Sequence, residues 1–281
     1  MRYGLHISTA GNLAGTPARA RAMGAETIQI FASNPRGWKP TLYSAEQGQA
    51  FRAACTEAGI DPVWLHMTYL VSYGTPDEEA RQKSITAMNQ MLATADTLGA
   101  RGVVTHMGSH KGLGFAQALG RLTDSYQRSL DGSEHSLLIL ENSAGAGGNI
   151  GNSLEELAAM LEAMKGHPRM AVCIDTAHAL TSGYELRTAA GLDGFLADFD
   201  RLIGLDRLVV MHLNDSKADL GTHVDRHENI GDGFIGSEGF RLIVNHPKLR
   251  HVSGVLEVPG IDGKSGPDQA NLDRLKALTT S

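Results

Sequence analysis

The sequence is poor in cysteine and has no long apolar run, and each absence argues against a class of protein. Its 281 residues include two cysteines, Cys55 and Cys173, too few for a disulfide framework or a cysteine-rich zinc cluster. We expect no membrane span and no secretory signal, because no run of about 18 apolar residues occurs and the first residues lead directly into a predicted strand. The expectation is a soluble cytoplasmic protein with no membrane contact and no obligate protein partner.

The sequence also lacks an excess of basic residues. It has 25 Lys and Arg against 31 Asp and Glu, which gives a formal net charge of −6. That balance argues against a protein that holds nucleic acid by electrostatic attraction alone, although it allows local basic loops. Bound divalent ions would cancel a charge of this size, so the acidic balance excludes little.

Repeats, low-complexity tracts and interdomain linkers are absent from the sequence, and its length fits one barrel domain over residues 1–281. Eight short apolar runs are predicted as strands, at 3–6, 27–31, 63–66, 103–106, 137–141, 171–175, 208–212 and 252–257. Helices are predicted at 44–58, 77–98, 115–130, 153–164, 188–205, 237–245 and 268–278, with a capping box formed by Ser153 and Glu156. This alternation predicts an α/β protein with a single (β/α)8 TIM barrel.

Seven of the eight predicted strands end in a histidine, an aspartate or a glutamate. Core strands rarely end in this way, because an unpaired buried carboxylate costs several kcal/mol unless a cation compensates it. The carboxyl ends of TIM-barrel strands meet at the catalytic face. Strands three to eight contribute His66, His106, Glu141, Asp175, His212 and Glu257. The first strand contributes His6, for which an orienting or substrate contact fits as well as metal ligation.

Three further donors follow two of these strands. His178 lies one short turn after Asp175, and Asp225 and His227 stand two residues apart, on the same side of an extended segment. Nitrogen and oxygen donors without thiolate suit zinc or manganese, and three ligands with one open position are typical of catalytic zinc. These nine residues suffice for three ions if one carboxylate bridges two of them. Such a site would attract a phosphodiester and activate water for in-line attack.

Three segments of the sequence resemble the deoxyribonuclease IV (endonuclease IV) family of apurinic/apyrimidinic endonucleases. They are Leu140-Glu-Asn-Ser-Ala-Gly145, Ile174-Asp-Thr-Ala-His178, and Asn214-Asp-Ser-Lys-Ala-Asp-Leu-Gly221 continuing through Asp225-Arg-His-Glu-Asn-Ile-Gly231 to Gly233-Phe-Ile-Gly236. The similarity runs from end to end, and the last segment is close to a full family signature. The sequence departs from the family at Ser143, where threonine is common, and at Met107, where proline is common. Neither departure affects an expected ligand.

The resemblance implies a trinuclear zinc site, with Mn2+ acceptable at one position. The implied ligand sets are His66, His106 and Glu141; Glu141, Asp175, His212 and Glu257; and His178, Asp225 and His227. Glu141 is then the bridging ligand and the catalytic partner of the attacking hydroxide. The resemblance also implies that Arg36, Tyr69 and Leu70 contact the DNA at the lesion.

The implied function is DNA repair by a zinc-dependent phosphodiesterase. Its substrate would be double-stranded DNA, cut on the 5′ side of an abasic site to leave a 3′-hydroxyl and a 5′-deoxyribose phosphate. One alternative is a metal-dependent sugar isomerase or epimerase of the related barrel class, which needs one ion and leaves five of the nine donors without a task. The other is a non-catalytic protein that binds lesions, and the intact ligand set argues against it.

Overall fold

Eight parallel strands form the centre of the molecule in this computed structural model, which describes residues 1–131, 133–261 and 266–280. In chain order the strands are β1 (Arg2–His6), β2 (Thr27–Ile30), β3 (Val63–His66), β4 (Gly102–His106), β5 (Leu137–Glu141), β6 (Met170–Asp175), β7 (Leu208–His212), β8 (Asp215–Ser216), β9 (His227–Glu228) and β10 (Ser253–Leu256). β8 and β9 form a separate antiparallel pair. The other eight close into a barrel, because β1 pairs with both β2 and β10. The predicted TIM barrel is confirmed.

Helices connect the strands and pack around the barrel. They are α1 (Thr16–Ala22), α2 (Ala45–Ala58), α3 (Glu78–Leu98), α4 (Phe115–Leu130), α5 (Leu154–Ala163), α6 (Thr176–Thr181), α7 (Ala189–Leu202), α8 (Gly236–Asn245) and α9 (Gln269–Ala277). A side chain caps the first turn of six of them, from Ser44, Asp77, Ser153, Asp175, Thr188 and Asp268. Among the helices of the described residues, none has the length and apolar character of a bilayer span.

Helical periodicity does not predict α1 and α6, which have seven and six residues. Elements this short contain too few turns for an amphipathic repeat, and every residue of α6 is buried, so no polar face marks it. The helix predicted to reach residue 205 ends earlier, at Leu202, and a 3-10 turn follows at Leu205–Arg207. The last barrel strand is also shorter than predicted, so Glu257 lies one residue beyond β10.

The predicted capping box at the start of α5 is only half formed. Ser153 Oγ accepts a hydrogen bond from Glu156 N at 3.2 Å, as a capping box requires. A full box also requires the Glu156 side chain to accept from Ser153 N. The Glu156 carboxylate instead accepts from Gly151 N at 2.7 Å, so this half of the prediction is wrong. A complete box lies at the start of α2, where Ser44 and Gln47 bond each other's backbone N–H.

An apolar layer fills the barrel directly below the strand ends. It contains Trp64, Val104, Ile139, Ala171, Cys173, Val210 and Val255. All of these except Ala171 lie two residues before a histidine, aspartate or glutamate that ends a barrel strand or, for Glu257, directly follows one. Because side chains two residues apart on a strand share a face, those polar side chains form the next interior layer, at the carboxyl ends of the strands. A larger apolar cluster fills the space between the strands and the helices.

Candidate metal centre

The nine acidic and histidine side chains expected as ligands converge at the carboxyl ends of the barrel strands. Five are the last residues of strands: His66, His106, Glu141, Asp175 and His212. The others are Glu257, directly after β10; His178, in α6; His227, the first residue of β9; and Asp225, two residues before it. Barrel closure therefore assembles one site from parts of the chain that are far apart in sequence.

The ligand atoms of these side chains form three overlapping groups, each with its atoms within 4.8 Å of one another. The groups are His66, His106 and Glu141; Glu141, Asp175, His212 and Glu257; and Asp175, His178 and His227. Asp225 lies beside the third group, with its Oδ1 3.3 Å from His178 Nε2 and 3.4 Å from His227 Nε2. All three implied sets are brought together, and Asp175 is shared between two groups, which the sequence does not predict.

Glu141 faces two of these groups at once. Its Oε2 lies 3.1 Å from His66 Nε2 and 3.4 Å from His106 Nε2. Its Oε1 lies 3.0 Å from His212 Nδ1 and 3.6 Å from His178 Nδ1. Because the two oxygens face different histidines, this carboxylate has the geometry of a ligand shared between two cations.

Backbone carbonyls determine which nitrogen of two histidines faces the site. His66 Nδ1 lies 2.7 Å from Met67 O, and His178 Nδ1 lies 3.0 Å from Asn142 O. A ring N–H that donates to a carbonyl leaves the lone pair on the other nitrogen, the usual arrangement of a metal-binding histidine. In both residues Nε2 is therefore the nitrogen available to a metal ion.

Two carboxylates of the site, Glu141 and Glu257, have lowered pKa values. Burial opposes ionisation of Glu141, but His106 and His212 hold the pKa of that carboxyl well below its usual value. The pKa of Glu257 is also lowered against its burial, with His212 the strongest cause. Burial similarly opposes protonation of His178, but neighbouring carboxylates raise its pKa to about 10. The cluster thus carries negative charge that histidine protons neutralise, and a divalent cation could take their place.

Two buried histidine nitrogens are placed where a cation would fit. Neither His178 Nε2 nor His227 Nε2 has a hydrogen bond of good geometry within the described residues. Both atoms lie within 3.5 Å of the Asp225 carboxylate. A metal ion between two nitrogens and an oxygen would satisfy all three atoms, and such mixed donors suit zinc.

Sequence analysis missed several buried polar side chains that support the candidate ligands or the segment between β7 and α8. They are Gln29, Asn142, Thr176, Asn214 and Asp215, none more than 5% exposed. Asn214 donates from Nδ2 to Asp175 Oδ2 at 2.6 Å, and its Oδ1 accepts from Glu257 N at 2.8 Å. Asn142 Oδ1 accepts from Asp175 N at 2.6 Å. The available signal was position, because Asn142 directly follows Glu141 and Asn214 lies two residues after His212.

His6 makes an orienting contact with a ligand. Its Nδ1 lies 2.6 Å from Glu257 Oε1, and its ring packs against Phe31 with the centroids 4.3 Å apart. Of the two roles that the sequence leaves open for His6, this geometry favours the orienting contact. His6 is outside the three groups of ligand atoms found among the described residues.

The residues expected to contact DNA lie at the rim of the site. Arg36 is exposed, Tyr69 is 61% exposed and Leu70 is 40% exposed. The Tyr69 ring packs edge-on against Phe31, with the centroids 5.4 Å apart. Tyr69 also lines two cavities beside the ligands, one of about 700 Å³ next to Glu257 and one of about 490 Å³. The exposed ring of Tyr69 therefore borders the cavities that lead to the candidate ligands.

Comparison with known proteins identifies the family. The sequence matches the family of xylose isomerase-like TIM barrels over residues 17–278. A probable endonuclease 4 from Methanoculleus marisnigri is 39% identical over 277 residues, which are 98% of each chain. The crystal structure of endonuclease IV from Thermus thermophilus covers 99% of this chain and 98% of its own, at 34% identity and a TM-score of 0.87. The chain belongs to the endonuclease IV family. The family resemblance of the three sequence segments is confirmed.

The endonuclease IV fold is shared with sugar-converting barrels. A D-psicose 3-epimerase from Clostridium cellulolyticum covers 99% of this chain and 99% of its own, at 16% identity and a TM-score of 0.70. At this identity the likeness concerns the fold alone. The likeness to the epimerase therefore gives no support to a sugar-converting activity, whereas the 39% identity with a probable endonuclease 4 supports a nuclease.

Proposed function

We propose that this protein is a DNA-repair endonuclease that hydrolyses the phosphodiester on the 5′ side of an abasic site, leaving a 3′-hydroxyl and a 5′-deoxyribose phosphate. The observation that carries the proposal is the position of Glu141, whose two oxygens face separate sets of histidines. A one-ion epimerase has no use for a second set. The family relationship supports the same conclusion.

We propose that the nine residues hold three zinc ions, with Mn2+ acceptable at one position. His66, His106 and Glu141 would bind the first, and Glu141, Asp175, His212 and Glu257 the second. His178, Asp225 and His227 would bind the third, with Asp175 also within reach of His227. Bound there, divalent ions would supply the positive charge that activates water and stabilises the reacting phosphoryl group.

The chain's own residues would place the substrate and exclude water. Glu141 is 1% exposed, so the reacting atoms would meet it in a site of low dielectric constant, where electrostatic interactions are strong. The cavity beside Glu257 can receive a nucleotide that has left the duplex. An abasic nucleotide has no base to unstack or unpair, so turning it out of the helix costs less than flipping an intact one. Arg36, Tyr69 and Leu70 at the rim would occupy the gap in the duplex.

The test is cleavage of a duplex oligonucleotide that carries one tetrahydrofuran abasic analogue, which cannot undergo β-elimination. We expect a single break 5′ to the analogue and no cut in the undamaged duplex. Glu141→Gln should abolish the cut, because an amide cannot serve two cations. Glu155→Gln makes the same chemical change at an exposed glutamate of α5 and should cut like the unmodified protein. Absence of cleavage by zinc-loaded protein would refute the proposal and redirect attention to sugar substrates.

A further inference from the structure

β2 carries no acidic or histidine side chain at its end, yet it contributes a polar group to the site. Gln29 lies in the middle of β2 and is fully buried inside the barrel. In the strand register it stands beside His6 of β1 and Trp64 of β3. Its side chain reaches the layer of ligands, where three polar groups surround it.

The amide of Gln29 uses both of its ends. Its Oε1 lies 3.0 Å from His212 Nε2, and its Nε2 donates to Glu257 Oε1 at 2.7 Å. Glu257 Oε1 is also 2.6 Å from His6 Nδ1. The reversed amide would place its oxygen against the Glu257 carboxylate, so these neighbours admit one orientation. In that orientation Gln29 accepts from His212 and donates to Glu257.

This contact determines which nitrogen of His212 is available. The proton that Gln29 Oε1 accepts must be on Nε2, so the other nitrogen, Nδ1, is the one that can offer a lone pair to a metal ion. His212 Nδ1 lies 3.0 Å from Glu141 Oε1 and 3.2 Å from Glu257 Oε2. It therefore faces the group in which Glu141, Asp175, His212 and Glu257 come together.

We propose that Gln29 is a positioning residue, which holds His212 in the Nε2–H tautomer and orients Glu257 for the same metal ion. The inference rests on the proposed metal centre. The backbone carbonyls of Met67 and Asn142 accept the ring N–H of His66 and His178. Gln29 Oε1 does the same for His212. The inference also gives a role to the fully buried amide of Gln29, on the barrel strand that ends without a histidine or an acidic residue.

The first test is a zinc titration of metal-free protein against a competing chelator. Gln29→Met keeps the length of the side chain and removes both hydrogen bonds. We expect it to weaken zinc binding at one class of site by about 10- to 100-fold, the usual effect of removing a group that orients a ligand, and to leave the remaining affinity unchanged. In a His212→Ala background the same change should cause a smaller further loss at that site, because only the contact with Glu257 is left to remove.

Thr27→Val is the matched control on the same strand. Thr27 is fully buried and its Oγ1 donates to Pro62 O at 2.6 Å, so the change removes one buried hydrogen bond without touching a ligand. We expect its zinc affinity to equal that of the unmodified protein. Equal losses in Gln29→Met and Thr27→Val would reduce the role of Gln29 to packing and overturn the inference.

The tautomer of His212 gives a second test that needs no change at Gln29. Long-range 1H–15N correlation spectra of zinc-loaded, histidine-labelled protein should show His212 protonated at Nε2, with its signals assigned by comparison with His212→Gln. Protonation at Nδ1 would overturn the inference. If the unmodified protein binds no zinc, the metal centre itself is wrong. If it binds zinc and Gln29→Met binds it equally well, only the role of Gln29 is wrong.

Discussion

At the scale of single residues, several side chains of the site serve two purposes at once. Asp175 is the last residue of β6, and its Oδ1 caps α6 by accepting from His178 N at 3.0 Å. Its Oδ2 remains available to the cluster and accepts from Asn214 Nδ2. Removing such a residue would disturb a helix terminus and a ligand group together. Substitutions within the cluster should therefore not have additive effects.

The rim residues should act on DNA binding more than on chemistry. Tyr69→Ala removes an exposed ring that can stack in the duplex, and Arg36→Ala removes an exposed cation. We expect each to weaken binding of a duplex with an abasic analogue, for Tyr69→Ala by about 1–3 kcal/mol, or roughly 5- to 150-fold in Kd. Binding is measured in a Glu141→Gln background, which prevents cleavage, and the single-turnover rate is measured at saturating protein.

Tyr69→Phe is the control for this prediction, because it keeps the ring and its edge-on contact with Phe31. Its Kd should stay close to that of the unmodified protein. Unchanged Kd values for Tyr69→Ala and Arg36→Ala, together with slower chemistry, would show that these side chains do not hold the DNA.

At the scale of elements, the segment between β7 and α8 carries Asp225 and His227, two of the proposed ligands, and depends on one buried carboxylate. Asp215 accepts hydrogen bonds from the backbone N–H of Ser216, Gly231, Gly233, Ile235 and Gly236. Gly233 allows this close approach, because a Cβ there would lie 2.4 Å from Ser216 O. The carboxylate thus folds the end of the segment back onto β8 and sets the path of the chain that bears Asp225 and His227.

Asp215→Asn should destabilise the protein although the side chain keeps its shape. The amide nitrogen would face backbone N–H donors instead of accepting from them, and each buried donor left unpaired costs about 1–3 kcal/mol. We expect a lower midpoint of urea unfolding with an unchanged dependence on urea concentration. Asp232→Asn, in the same segment, affects only an exposed pair with Arg274 and should leave the midpoint nearly unchanged. Equal midpoints for the two variants would contradict this role of Asp215.

At the scale of the whole molecule, the barrel concentrates acidic side chains at one end of its interior. Glu141 and Asp175 are almost fully buried, and neighbouring histidines lower the pKa of Glu141 and of Glu257. Without a metal ion, the negative charge of these carboxylates is balanced by His178 and His212, whose pKa values are raised. Metal binding would replace these contacts with stronger bonds that the unfolded chain does not make, so occupancy and stability should be linked.

Removal of the metal should therefore lower thermal stability. A ligand at about 1,000 times its Kd stabilises the folded state by about 4 kcal/mol, which corresponds to roughly 8–16 °C in Tm for a protein of this size. We expect chelation to lower Tm by this order, and added zinc to restore it. Glu141→Gln should lose most of the response, because Glu141 belongs to two groups. A Tm that is independent of zinc would contradict the proposed centre.

By itself, the sequence determined the barrel and the nine candidate ligands. Strands such as Val63–His66 and Leu137–Glu141 are short apolar runs that end in polar residues, and this local pattern reflects the barrel interior below the site. Only the tertiary structure decided that Gln29 meets His212 and Glu257, and that Asp175 is shared between two groups. The physical reason is that a buried polar side chain acquires its role from its partners, and barrel closure brings those partners from distant parts of the chain.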